Sequence, residues 1–254
     1  MQWLIQSNDL PDQHTAKLIT AVKNPILFQV VPFSHEVLGL DNAIPGATSM
    51  FYCSTQMAEK VSTWDIFRPG VFWNSQWWDP LNWLDKRDDL LNNKIETITA
   101  GKLRELWVDK PTFIKSAKEK LLTGMVIEPD KQDHDNWLIE QSTLDAHDII
   151  LMSPCTEIGI ETECRFFVLE GKIITGSTYR WNGVRFTTRP IDAALRNYAN
   201  SAVRKWMPSS NIVIDICRLK NGEYKTVEFN SINSSGFYNC DVQAIVNKIE
   251  EMYT

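Results

Sequence analysis

Two carboxylates and a carboxamide near the end of this chain have the types and spacing of a divalent-cation site. Asp215 lies in the run Ile212-Val213-Ile214-Asp215, and Glu228 and Asn230 flank Phe229, with 228 − 215 = 13 residues between the two acids. Between them, Lys220-Asn221-Gly222-Glu223 contains Asn-Gly, the strongest short signal for a hairpin turn. Residues two apart on a strand share a face, so Glu228 and Asn230 point together and Phe229 points away. Asp215, on the paired arm, can join them. Hard oxygen donors of this kind suit Mg²⁺, which bridges a few protein oxygens to nucleotide phosphates while keeping several waters. The neutral Asn230 limits repulsion between the acids. The competing reading is a hairpin with a solvated polar face, since acids on exposed strands are common. Apolar Val227 and Phe229 on the other face favour a half-buried strand, and the small polar segment Asn233-Ser234-Ser235-Gly236 suits close approach by a ligand.

The elements that must position these groups follow from periodicity and capping signals. Strand-like runs are expected at 2–6, 26–31 and 48–53, with helices at 15–22 and at 56–64, the latter opened by Ser54-Thr55. Strand alternating with helix predicts a small parallel sheet. The segment 71–83 holds four of the ten tryptophans and reads as a core or domain-interface cluster in preference to a base- or sugar-binding face. Residues 90–96 read as the crossing into a second domain. A helix at 100–106 capped by Thr99, a strand at 112–115 returning through 121–127, and an amphipathic stretch at 136–141 follow. Strands are then expected at 147–152, 162–169 and 172–181, a helix at 191–206, the acid-bearing hairpin, and a closing helix at 241–252.

Composition narrows the class of partner. At 254 residues, 43% apolar and 23% charged, the chain is long enough for one large or two small domains with a true core. A net charge of −6 argues against nucleic acid or an anionic membrane as the main partner. The five cysteines show no C-x-x-C and fit reduced thiols, with Cys155 and Cys217 expected to be buried. The four histidines, His14, His35, His134 and His147, lack metal-ligand spacing and read as surface or loop residues. With no secretory signal and no run of 18 apolar residues, the expected location is the cytoplasm.

Three segments now share one explanation. Thr112-Phe113-Ile114-Lys115 ends a strand in lysine, with Lys118 and Lys120 close behind. Glu163-Cys164-Arg165 puts an acid and a cation on one strand face, and the acid hairpin comes last. This order resembles the ATP-grasp carboxylate–amine ligases, a superfamily that includes D-alanine–D-alanine ligase, and in particular the short viral and bacterial clade marked by one arginine and two lysines. The resemblance spans about Leu106 to Tyr238.

The resemblance implies an α/β (α+β) chain. Residues 1–95 would form a Rossmann-like pre-ATP-grasp domain and residues 96–254 a two-subdomain ATP-grasp fold, with nucleotide between about 107–155 and 156–254. Asp215, Glu228 and Asn230 would bind two Mg²⁺ on the ATP phosphates. Lys115 would contact the α-phosphate, and either Lys120 or Lys118 would be the second clade lysine. Met152 and Ser153 would form part of the adenine hinge, Glu163 would meet the ribose, and Arg165 a phosphate or acyl phosphate. Two departures stand out: the loop after Lys115 is lysine-rich, with glycine only at Gly124, and Val213 stands where the D-alanine–D-alanine ligase type carries an arginine. Arg180, Arg185 and Arg189 are the candidates to replace that arginine.

The implied reaction forms an amide or peptide-type bond between a small-molecule or peptide carboxylate and an amine. It runs through an acyl phosphate and releases ADP and phosphate. A phosphotransferase on the same scaffold, or a nucleotide-binding assembly module without catalysis, are the alternatives.

Overall fold

A computed structural model describes residues 1–7, 12–31, 36–74, 77, 79–117, 121, 122, 124–131, 139, 144–155 and 158–253. The expected features at His35, His134, Lys118, Lys120 and most of 136–141 lie outside these residues. Strand β1 (Gln2–Gln6) buries Trp3, Leu4 and Ile5. Helix α1 (Gln13–Ala21) opens at Asp12, whose carboxylate accepts from the backbone N–H groups of His14 and Thr15. Strands β2 (Pro25–Val30), β3 (Val37–Leu38) and β4 (Thr48–Tyr52) follow. Helix α2 (Thr55–Val61) is capped by Ser54 Oγ, and β5 (Arg68–Gly70) ends the region. The sheet order is β3-β2-β1-β4-β5, with β1, β2, β4 and β5 parallel and β3 antiparallel at the edge. A parallel sheet is what alternating strand and helix predicts. The two-residue β3 is too short to leave a periodic signal.

A second sheet is wholly antiparallel. Helix α3 (Leu81–Leu84) precedes β6 (Glu96–Thr99), α4 (Ala100–Glu105, capped by Thr99), β7 (Thr112–Ser116), β8 (Met125–Ile127) and β9 (Ile149–Pro154). Its strand order is β6-β9-β7-β8. Ala100, Leu103, Ile114, Ile127 and Ile150 form its core.

The third sheet carries the acids. It is built from β10 (Ile160–Leu169), β11 (Lys172–Trp181), β12 (Val184–Arg185), β13 (Ile212–Leu219) and β14 (Tyr224–Asn230), in the order β12-β11-β10-β13-β14. Helix α5 (Ala193–Lys205), capped by Asp192, joins β12 to β13, and α6 (Val242–Met252), capped by Asp241, closes the described chain. The Asn-Gly turn forms as expected: Gly222 has φ 88°, and the Leu219 N–H donates to Glu223 O at 2.8 Å.

Residues 1–77 and 160–254 form one compact unit, and residues 78–159 the other. Within the first unit, Trp3, Ile5 and Leu18 share a core with Phe167, Phe237, Ile245, Val246 and Ile249. In the tryptophan-rich region Phe72 and Trp83 are buried, as a packing role predicts. All five cysteines are free; Cys217 is buried, whereas Cys155 lies just past the end of β9 and is only partly covered. Among the described residues no helix is long and apolar enough to cross a membrane.

Candidate functional site

The hairpin brings the three oxygen-bearing residues together across adjacent strands. Asp215 on β13 stands directly opposite Glu228 on β14, and Val213 stands opposite Asn230. A bulge between Asp215 and Ile216 sets Ile216 opposite Thr226, so the ladder is interrupted just beside the acid pair. The Asn230 amide nitrogen donates to Glu228 Oε1 at 3.0 Å and to Asp215 Oδ2 at 3.3 Å. The three side chains therefore converge within the reach of one ion. Two carboxylates and an amide, whose oxygen can replace its nitrogen by a turn about one bond, are a donor set that fits Mg²⁺. Asn230 now holds the acids together with its N–H groups, the arrangement expected of two nearby anions without a cation.

Arg165 is committed to Asp215. Its Nε donates to Oδ1 at 2.9 Å and its Nη2 to Oδ2 at 2.7 Å, a bidentate fork between side chains 10% and 1% exposed. A third hydrogen bond runs from Arg165 Nη1 to Gly236 O at 3.3 Å. Burial pushes the Asp215 carboxyl upward, and the Arg165 charge and hydrogen bonds offset part of that rise. Burial likewise opposes the charge on Arg165, but Asp215 outweighs it and holds the guanidinium ionised. In this structure Arg165 thus orients and balances a metal-directed acid, a contact that strand alternation alone does not reveal.

Glu163, two residues earlier on β10, is also satisfied within the protein. Its Oε1 accepts from Arg180 Nη1 at 2.9 Å and its Oε2 from the Tyr179 hydroxyl at 2.7 Å. Burial, with Asp215 and Glu163 nearby, raises the Tyr179 phenol well above its ordinary range, so it stays a donor. The Tyr179 ring stacks on Tyr238 with centroids 5.0 Å apart. Tyr238 also faces the guanidinium carbons of Arg165 at 5.2 Å and Arg185 at 5.5 Å. Arg189 lies over the Trp181 ring at 3.3 Å, away from this cluster's hydrogen bonds.

The segment after Asn230 is an anchor more than an open ligand loop. Asn233 is buried; its amide nitrogen donates to Phe51 O, and its Oδ1 accepts the Phe72 N–H at 2.7 Å. The Asn233 carbonyl accepts from Cys53 N at 2.8 Å, and the Tyr52 hydroxyl donates to Ser235 O at 3.1 Å. Phe237 is stacked between Tyr52 and Phe167. Small polar composition suggested ligand access; here it serves the fit of a loop against β4. Only Gly236 and Tyr238 turn toward the arginines.

In the unit formed by 78–159, Lys115 lies on β7 opposite Leu151, and Met152 and Ser153 lie on β9 opposite Ile114 and Phe113. The expected lysine and hinge positions therefore share one strand pair. Lys118 and Lys120 are outside the described residues. Among the described residues there is no group of three His, Cys, Asp or Glu able to hold a metal, so the candidate centre depends on Asn230 as its third donor. His14, Asn233, Tyr179 and Tyr238 were not singled out from sequence. His14, expected to be a surface or loop residue, sits half-buried in α1 with its ring against residues 236–238. Its partners are more than 200 residues away, so no local pattern marks it.

Residues 91–247 match the model of an ATP-grasp domain, the second family of the clade marked by one arginine and two lysines. The chain belongs to this ATP-grasp family. No curated protein matches it in sequence. Among solved structures, D-cycloserine synthetase DcsG is similar over all of both chains, with TM-score 0.59 and 11% identity. The ATP-grasp ligase PsnB complexed with a minimal precursor gives TM-score 0.58 and 13% identity over 99% of each chain. The macrocyclase MdnC from Microcystis aeruginosa MRC, bound with precursor peptide MdnA, gives 0.55 and 11% over 99% of this chain and 100% of that one. At such identities the likeness is one of fold: a mixed α/β ATP-grasp architecture spanning the whole chain.

Proposed function

We propose that the protein is an ATP-dependent ligase that joins a carboxylate to an amine. The observation that carries this reading is the convergence of Asp215, Glu228 and Asn230 on one strand face in a chain of the ATP-grasp family. These three would hold Mg²⁺. When bound, Mg-ATP supplies a γ-phosphoryl group that a carboxylate oxygen can attack, releasing ADP, after which an amine displaces phosphate from the acyl carbon.

The protein's part is charge balance and orientation. Arg165 keeps Asp215 ionised and aimed at the face shared with Glu228. Arg180 and Tyr179 fix the Glu163 carboxylate, which takes the ribose role. Lys115, with Lys120 or Lys118, offsets phosphate charge, and Met152 and Ser153 offer backbone groups to adenine. Arg180 and Arg185, flanking the Tyr179–Tyr238 stack, present positive charge to the carboxylate substrate. The acceptor is a small molecule or a peptide; the named peptide-bound neighbours share the fold along their whole length, which supports either size. Five free thiols favour a reducing compartment, and we place the enzyme in the cytoplasm.

The test is product formation from Mg-ATP and pooled amino acids with hydroxylamine present to trap acyl phosphate. ADP plus a hydroxamate that depends on one pool, and that is lost in Glu228→Ala, supports the ligase. ADP without hydroxamate, dependent on an alcohol, would establish phosphotransfer in its place.

A further inference from the structure

His14 holds the Tyr238 turn from the far end of the sequence. It lies in the first turn of α1, and its Nδ1 is 3.1 Å from the Phe237 N–H nitrogen and 3.3 Å from that of Tyr238. One ring lone pair therefore faces two backbone donors. The ring meets Tyr238 edge-on, with centroids 5.2 Å apart at 82°. Gly236 lies flat against the imidazole: a Cβ there would come 2.8 Å from Nε2, so no larger residue fits without moving the ring. Three residues along the same helix face, Lys17 Nζ donates to the Tyr238 carbonyl. Helix α1 thus grips Tyr238 by its N–H and its C=O. The grip matters because Tyr238 is a non-glycine residue at φ 48°, a conformation that the surroundings must enforce.

An imidazole can accept at Nδ1 only when that nitrogen is unprotonated. Nε2 then carries the ring proton and faces the Gln13 side-chain amide at 3.4 Å, which meets it with its oxygen. The charges around the ring come from each element packed on it. Asp12, the cap of α1, favours protonation, whereas Lys17 on α1, Arg165 on β10 and Arg185 on β12 oppose it. Burial is the largest influence and also opposes it, so the group is held below the usual histidine range and the acceptor form prevails at neutral pH.

We propose that His14 is a positioning residue whose unprotonated Nδ1 fixes the Gly236–Tyr238 turn and so sets the Tyr238 ring and the Arg165-bonded Gly236 carbonyl for the carboxylate substrate. Acidification releases the turn. This rests on the reading that the Tyr179–Tyr238 face receives that substrate. The role differs from packing because Asn at position 14 can still offer an oxygen acceptor but cannot titrate.

The experiment uses the full chain in two readouts. The first is ¹⁵N NMR of His14 with amide exchange at Phe237 and Tyr238 across pH. The wild type is expected to show an unprotonated Nδ1 and to lose protection of both amides as His14 titrates. His14→Asn should keep protection without the pH dependence, and His14→Leu should lose it throughout. The second is acceptor-dependent ADP release alongside Mg-ADP binding. His14→Leu should lower kcat/KM for the acceptor on the order of 10-fold or more and leave Mg-ADP affinity unchanged, and His14→Asn should recover most of the rate and flatten its acid limb. Protection or acceptor kcat/KM indifferent to His14→Leu overturns the proposal, as does an unaltered acid limb in His14→Asn. Absence of any trapped hydroxamate in the wild type would instead count against the ligase reading, and the exchange readout is independent of it.

Discussion

Removing Arg165 tests whether the buried fork organises the acid pair. Arg165→Met deletes two charge-assisted hydrogen bonds of 2.9 and 2.7 Å to Asp215 and a third of 3.3 Å to Gly236 O. What remains is a carboxylate on a side chain 1% exposed, with only the Asn230 amide left to satisfy it. Breaking a buried pair from one side costs about 3–5 kcal/mol, since the surviving charge is uncompensated. For a chain of this size that corresponds to a fall in Tm of roughly 6–20 °C. Replacing both partners, as Arg165→Met with Asp215→Leu, removes the charge and its desolvation penalty together. The double variant should therefore lie within about 2 kcal/mol of wild type, with a coupling of at least about 2 kcal/mol in the cycle. Urea unfolding of the four proteins, checked for a constant m, measures this. A single variant costing under about 1 kcal/mol, or a double variant as unstable as the sum of the singles, would refute the claim that each group is there to hold the other.

Further expectations are equally direct. Glu228→Gln keeps the shape of the acid face but removes a charge, so Mg-dependent ADP formation should fall on the order of 10²-fold, read with saturating ATP. Asn233→Ala unpairs the buried Phe72 N–H and Phe51 carbonyl and should cost about 2–4 kcal/mol in urea unfolding. Mg-ATP at about 100 times its Kd should stabilise the native state by ~2.7 kcal/mol, and chelation of the metal should abolish most of that shift. His14 has a folded pKa below its ordinary 6.5, so the folded state binds fewer protons than the unfolded chain in that interval. Its contribution is complete above 6.5 and is lost as pH falls from there to the folded value; His14→Asn should remove that slope from the stability–pH curve.

The acid hairpin was legible because a turn signal and a period of two fix register locally. Asn221-Gly222 set the turn, and a separation of 13 residues placed Asp215 opposite Glu228. The long strands β10 and β11 and the caps Ser54, Thr99 and Asp241 were legible for the same reason, since each signal lies within a few residues of its effect. Partner choice was not. Arg165 could meet a phosphate or an acid by sequence alone, and the choice of Asp215 follows from β10 lying beside β13. Asn233 looked like loop polarity because the groups that use its amide, Phe51 O and Phe72 N, belong to a strand and turn some 160 to 180 residues earlier. His14 escaped for that same non-local reason.

The shared core of residues 1–77 and 160–254 bears on how the chain is made. Leu4, Phe28 and Phe51 can close one face of the first sheet early, since their neighbours are synthesised together. Trp3, Ile5 and Leu18, on the other face, wait for Ile245, Val246 and Ile249, and 245 − 5 = 240 residues separate Ile5 from the first of these. At about 5–20 residues per second, that apolar face stays uncovered for roughly 10–50 s on the ribosome. A nascent chain in that state is a natural chaperone client, and its yield in a cell depends on what shields β1 and α1 until the last helix emerges.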